Sequence, residues 1–115
     1  MLAKQVEFCA LLLVNRARRA VGKKSLKRLP KGIPGMADAC PLARALNYDG
    51  TVTAQHFRLS ATKESLSVLR KYAKAFNTKV KRSYMSLRLQ LPETLRLFVR
   101  LFDDGKFPHL IRKKG

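Results

Sequence analysis

The side chains able to do chemistry are few and scattered. Cys9, Cys40, His56 and His109 are the only thiol and imidazole donors, and their separations fit no zinc pattern, which needs closely paired ligands. There are 7 acids, of which only Asp103 and Asp104 are adjacent, so a carboxylate-rich metal site is excluded. Cys40 precedes Pro41 at a helix start, where a thiol can be acidified. A small buried residue is the simpler reading of it, and Cys9, inside an apolar run, reads as core. His56, Tyr84 and Arg88 are types with which a metal-free ribonuclease could move protons and clamp phosphate, but such a set acts only if the fold converges it. No glycine-rich phosphate loop, metal triad or serine nucleophile motif is present. The sequence therefore reads as a non-enzyme with no cofactor and no metal.

What it does carry is charge. Lys and Arg number 25 against 7 acids, a formal net charge of +18, well beyond the magnitude of about 2–8 that solubility asks for. The cations come in acid-free blocks. The first holds Arg16, Arg18, Arg19, Lys23, Lys24, Lys27, Arg28 and Lys31; the second holds Arg70, Lys71, Lys74, Lys79, Lys81, Arg82 and Arg88; the tail adds Lys106, Arg112, Lys113 and Lys114. Such an excess repels itself in the compact state and is relieved by a polyanion. The chemistry implied is phosphate neutralisation with counterion release and a steep salt dependence. Lys23, Lys24, Lys27, Arg28 and Lys31 are expected to grip phosphates as a flexible arm, with Arg16, Arg18 and Arg19 beside them. Arg58, Arg70, Lys74, Lys79, Lys81, Arg82 and Arg88 are expected to extend the track, with Tyr84 stacking on bases. Duplex DNA and structured RNA are equal choices, and a phosphate-led interface implies weak sequence specificity. The alternative partner is an acidic protein surface, steered by the same charge, with Leu97 and Leu101 as apolar anchors.

These residues must be positioned by 115 residues, the size of one domain. Hydrophobic residues make up 46%, enough for a core. The longest apolar run, Phe8 to Val14, is too short to span a membrane, and arginines follow it where a signal cleavage site would need small residues. No membrane partner is expected, and without a disulfide framework a reducing cytoplasm is the default.

Apolar spacing predicts a first helix over 2–21, with Val6, Ala10, Leu13, Ala17 and Ala20 as its stripe and Phe8, Leu11, Leu12 and Val14 widening it. Residues 22–35 (GKKSLKRLPKGIPG) have no periodicity and read as a loop. Pro41 opens a short helix capped near Cys40, and Asn47-Tyr48-Asp49-Gly50 is a turn. Residues 51–59 read as a strand, residues 61–77 as a helix capped by Ser60 or Thr62, and residues 84–91 as an alternating strand with Met85, Leu87, Leu89 and Leu91 inward. Phe57 and Leu59 then point inward too, leaving His56, Arg58, Arg82, Tyr84 and Arg88 outside. Pro92 opens the last helix, which ends at Asp103-Asp104-Gly105. A helix-turn-helix over 42–58 is disfavoured by Asp49-Gly50 and the Thr-Val-Thr run. No internal repeat is evident. The expected fold is α+β, a single domain of about four helices on a small two-stranded sheet, with a basic tail over 106–115. The strands could pair in parallel, through a right-handed crossover, or antiparallel.

The segments Leu29-Pro30-Lys31-Gly32-Ile33-Pro34-Gly35, Cys40-Pro41-Leu42-Ala43-Arg44-Ala45-Leu46, Leu91-Pro92-Glu93-Thr94-Leu95-Arg96 and Phe102-Asp103-Asp104-Gly105-Lys106-Phe107-Pro108 together resemble a group of small uncharacterised proteins encoded by actinobacteria and their phages. The resemblance covers about half the chain and carries over no functional residue. It implies expression in the cytoplasm of a bacterial host and a role in phage–host interaction. The 22–35 loop is more basic than the group's pattern, which suggests a nucleic-acid contact specific to this member.

Overall fold

The computed structural model describes residues 2–47 and 49–112. The first helix, α1 (Ala3–Ala20), is followed by a 3-10 turn at Ala37–Ala39 and the short helix α2 (Pro41–Leu46). The chain then runs through β1 (Thr51–Val52), β2 (His56–Ser60), α3 (Lys63–Phe76), β3 (Val80–Arg82), β4 (Ser86–Gln90) and α4 (Glu93–Asp103), and ends in a 3-10 turn at Pro108–Leu110. The fold is α+β with four α-helices, as expected, but the sheet has four strands rather than two. Its order is β1-β2-β4-β3, and every pair is antiparallel.

The strand expected over 51–59 proves to be a whole hairpin, β1 and β2, and the one expected over 84–91 contains only the inner strand, β4, of a second hairpin. Thr53 folds the chain back: its amide donates to the His56 carbonyl at 2.9 Å, and its Oγ1 accepts from the His56 amide at 3.2 Å. A hydroxyl that substitutes for backbone partners ends a strand in this way. Ser83 does the same for the second hairpin, its amide donating to the Ser86 carbonyl at 2.9 Å and its Oγ at 3.2 Å. Met85 therefore stands in a hairpin turn and is exposed, not inward as the alternation implied.

Period-two alternation divides the sheet cleanly. Val52, Phe57, Leu59, Leu87 and Leu89 are buried, and α3 and α4 supply Leu69, Tyr72, Phe76, Leu95, Phe98 and Phe102 to the same core. Gly50 is needed here because a Cβ would strike the Phe57 ring. Helix α3 is capped by Thr62, whose Oγ1 accepts from the Ser65 amide at 3.1 Å. It is stopped by Asn77 at φ 55°, a left-handed position that Asn tolerates. Helix α1 packs against α2, α3 and α4 rather than against the sheet. Val6, Ala10, Val14 and Ala17 are its buried stripe, whereas Phe8 (62% exposed) and Leu12 (52%) lie on the opposite side instead of widening it. Cys9 is only half-buried. Among the described residues no helix is long and apolar enough to cross a membrane.

The two hairpins are copies of one unit. Each is followed by a helix, and equivalent residues stand thirty positions apart: Phe57-Arg58-Leu59 matches Leu87-Arg88-Leu89, and α3 starts thirty residues before α4. The pairing obeys the same rule. Thr51 opposite Arg58 becomes Lys81 opposite Arg88, and Val52 opposite Phe57 becomes Arg82 opposite Leu87. At the β2–β4 junction His56 faces Gln90 while Ser60 faces Ser86. The flanking bonds from the Ala61 amide to the Met85 carbonyl (3.3 Å) and from the Leu91 amide to the Gln55 carbonyl (3.0 Å) exchange under the same shift. A local two-fold axis therefore passes through the sheet at the Arg58–Arg88 pair, an internal repeat that the sequence did not disclose.

Candidate nucleic-acid interface

The face of the sheet turned away from the helices is polar throughout. Across its middle runs the row Thr51, Arg58, Arg88, Lys81, each directly opposite the next. One neighbouring row holds His56 and Gln90, with Lys79 accepting from the Gln90 amide through its carbonyl. The other holds Ser60, Ser86 and Ser83. The bonds at Ala61 and Leu91 make 61/85 and 55/91 the hydrogen-bonded couples of β2 and β4. By alternation, Arg58 and Arg88 form a non-hydrogen-bonded couple, the closer kind, with Cα atoms about 4.5 Å apart. Like charges directly opposite are destabilising. Among the described residues no carboxylate lies within ion-pair distance of Arg58, Arg88 or Lys81, and the ion pair that does form, Glu7 with His109 at 2.8 Å, involves α1 and the C-terminal turn. Arg58 makes one long bond, to Ser86 Oγ at 3.4 Å. His56 senses this field: burial and then the charges of Arg88, Lys81 and Arg58 hold its imidazole below the ordinary range, so it is neutral near pH 7.

Not every cation singled out in the sequence joins this row. Arg82 pairs with Leu87, so it belongs to the helix-covered side, where it emerges at the sheet edge; the expectation that it lay outside with Arg88 fails by one step of alternation. Tyr84 stands at the tip of the second hairpin, 98% exposed. His56 is one full strand away from that tip, about 14 Å for four residues, so His56, Tyr84 and Arg88 do not converge as a ribonuclease site requires. Arg70 and Lys74 lie on the exposed side of α3, a helix that packs on the other side of the sheet.

The basic loop is likewise a separate structure, and it is anchored. The Asn15 side chain binds Leu26 as a strand would, accepting from its amide at 2.7 Å and donating to its carbonyl at 2.9 Å. Leu29 is buried, and Gly32 bridges to the chain's end through the Leu110 carbonyl and the Arg112 amide, 2.8 Å each. Arg18 and Lys23 are committed to α2: Arg18 Nη1 donates to the Ala45 carbonyl at 2.6 Å and Lys23 Nζ to the Leu46 carbonyl at 2.8 Å. Cations there satisfy the orphan carbonyls at the negative end of the helix, and burial with the Arg18 charge lowers the Lys23 pKa. Arg19 Nη1 donates to Ser25 Oγ at 3.0 Å. Arg16, Lys24, Lys27, Arg28 and Lys31 remain exposed. Lys113 and Lys114 lie outside the described residues.

Cys40 is buried beside α2, and desolvation pushes its thiol up to about 11, so it is no nucleophile in this state. Leu97 and Leu101, expected as anchors for a protein partner, are half-buried and pack onto the core. Among the described residues no group of three or more His, Cys, Asp and Glu could hold a metal.

No family model, curated protein or solved structure matches this chain.

Proposed function

We propose that this chain is a nucleic-acid-binding protein that takes duplex DNA on the open face of its four-stranded sheet. The observation that carries the reading is the Arg58–Arg88–Lys81 row, three cations held side by side with, among the described residues, no acid within ion-pair distance. A phosphate-bearing partner relieves that repulsion. The surrounding groups favour a duplex. His56, Ser60, Ser86 and Gln90 are hydrogen-bonding side chains of the central pair β2–β4 suited to base edges, and the B-form major groove admits a two-stranded ribbon of that kind, whereas that of A-form RNA is too deep and narrow to be read. A single-stranded ligand would call for aromatic platforms on the face itself, and the exposed aromatic of this region, Tyr84, is at the hairpin tip. The exposed loop cations Lys24, Lys27, Arg28 and Lys31 form a second, sequence-independent phosphate contact.

The role is binding rather than catalysis, since the candidate acid–base set is spread over the sheet. The setting proposed is the cytoplasm of a bacterial host, consistent with two free thiols and with the resemblance to actinobacterial and phage proteins. An acidic protein partner is less well supported because Leu97 and Leu101 serve the core.

The test is a fluorescence-anisotropy titration of nuclease-treated protein with duplex DNA, single-stranded DNA and structured RNA at several salt concentrations. Duplex DNA should bind most tightly with a steep negative log–log salt slope. The double variant Arg58→Glu/Arg88→Glu should abolish binding, and Lys24→Glu/Lys27→Glu should weaken it. Binding that survives reversal of the sheet-face arginines would overturn the proposal.

A further inference from the structure

The local two-fold axis has a counterpart in the ligand. Duplex DNA has its own two-fold axes, one at each base pair and each step, and a protein dyad that coincides with one of them meets the two strands identically. In this sheet the axis passes between Arg58 and Arg88, which are each other's equivalents under the thirty-residue shift and directly opposite in the pairing. The hairpin turns at Thr53 and Ser83 and the flanking bonds at Ala61 and Leu91 obey the same symmetry, so the geometry around the two arginines is matched on both sides. Arginine paired with guanine O6 and N7 is the commonest specific contact in the major groove.

Resting on the duplex-binding reading above, we infer that the chain recognises a DNA site whose centre is an inverted repeat, with Arg58 reading a guanine on one strand and Arg88 the symmetry-related guanine on the other. The flanks of that site are dissimilar, because the symmetry is broken away from the axis. His56 is matched by Ser86, Ser60 by Gln90, Thr51 by Lys81, and Ala54-Gln55 by Tyr84-Met85. The second hairpin carries the added cations and an aromatic tip at Tyr84 where the first has Ala54, so it fixes which way round the chain sits. A monomer with one sheet thus reads a short palindromic centre without a second copy, and binding is specific where a phosphate-led interface alone would be indiscriminate.

The experiment is selection of binding sites from a randomised duplex library with the full chain, followed by titration of the enriched duplex and of its single-base variants. The expected result is a centre with one guanine on each strand, symmetrically placed. Arg58→Ala should lose discrimination at one of these base pairs and Arg88→Ala at its mate, each by about tenfold or more. Both arginines are exposed, so the variants should keep the parent's circular dichroism. Enriched sites without an inverted-repeat centre, or two variants that relax the same base pair, would refute the inference while leaving duplex binding intact. Duplex binding with no enrichment would refute it as well. Failure of every duplex to bind would instead defeat the reading on which it rests.

Discussion

Arg88 offers the most searching test, because its place in the sheet and its proposed role give it opposite effects on stability and on binding. It stands between Arg58 and Lys81, one like charge on each side. Cross-strand pairs are worth roughly 0.2–1 kcal/mol, and like charges are unfavourable by similar amounts. Arg88→Gln keeps the length and hydrogen-bonding capacity of the side chain while removing two repulsions. The variant should therefore be more stable than the parent by about 0.5 kcal/mol at low ionic strength, a rise of roughly 2–4 °C in melting temperature. The gain should fade as salt screens the pairs. Binding should move the other way: losing the charged, bidentate contact to a guanine weakens affinity for the selected duplex by about 1–3 kcal/mol. Thermal melts at 20 and 300 mM salt, paired with anisotropy titrations across the same range, read both quantities. A variant less stable than its parent at low salt would mean that Arg88 is held by structure rather than for a ligand. An affinity for the selected duplex equal to the parent's would mean that Arg88 does not meet the ligand, and either result refutes the reasoning.

Three further outcomes are expected. The folded-state pKa of His56 is depressed, so protonation favours the unfolded chain, and stability is lost as pH falls through the ordinary value near 6.5. Bound phosphate reverses the field, so affinity for DNA should rise over the same interval; melts and titrations at pH 8 and 5.5 should show both trends diminished in His56→Gln. Tyr72 donates its hydroxyl to the Leu46 carbonyl at 2.8 Å inside the core, and burial pushes its pKa up to about 12. Tyr72→Phe should cost about 1–2 kcal/mol in denaturant unfolding and leave DNA affinity unchanged. Tyr84→Ala, at an exposed hairpin tip, should leave the melting temperature unchanged and, because the ring stands off the sheet face, leave duplex affinity by anisotropy close to the parent's.

The helices were legible because their signals are local. Pro41, Thr62 and Pro92 mark the starts where the structure begins α2, α3 and α4. The strands were harder. Thr53 and Ser83 turn the chain with hydroxyls instead of the Gly or Asn pairs that announce a tight hairpin, so a hairpin and a long strand share the same pattern of β-branched and alternating residues. The repeat was hidden for a related reason. Its two halves agree at the axis, in Arg58 and Arg88 and in Leu59 and Leu89, and diverge elsewhere. The charge blocks did not disclose which cations stay free, because Arg18 and Lys23 are spent on the carbonyls of α2. A contact twenty or more residues distant leaves no trace in local spacing.

Helix α1 carries a consequence for biosynthesis. It is made first, yet its buried stripe rests on α3 and α4, the second of which closes at Asp103. At synthesis rates of about 5–20 residues per second, Val6, Ala10, Val14 and Ala17 wait roughly 5–20 s for their partners. During that interval the apolar run from Phe8 to Val14 is an adhesive segment on a nascent chain. The acid-free basic block that begins at Arg16 adjoins it, so like charge holds one nascent chain away from the next until the fold closes.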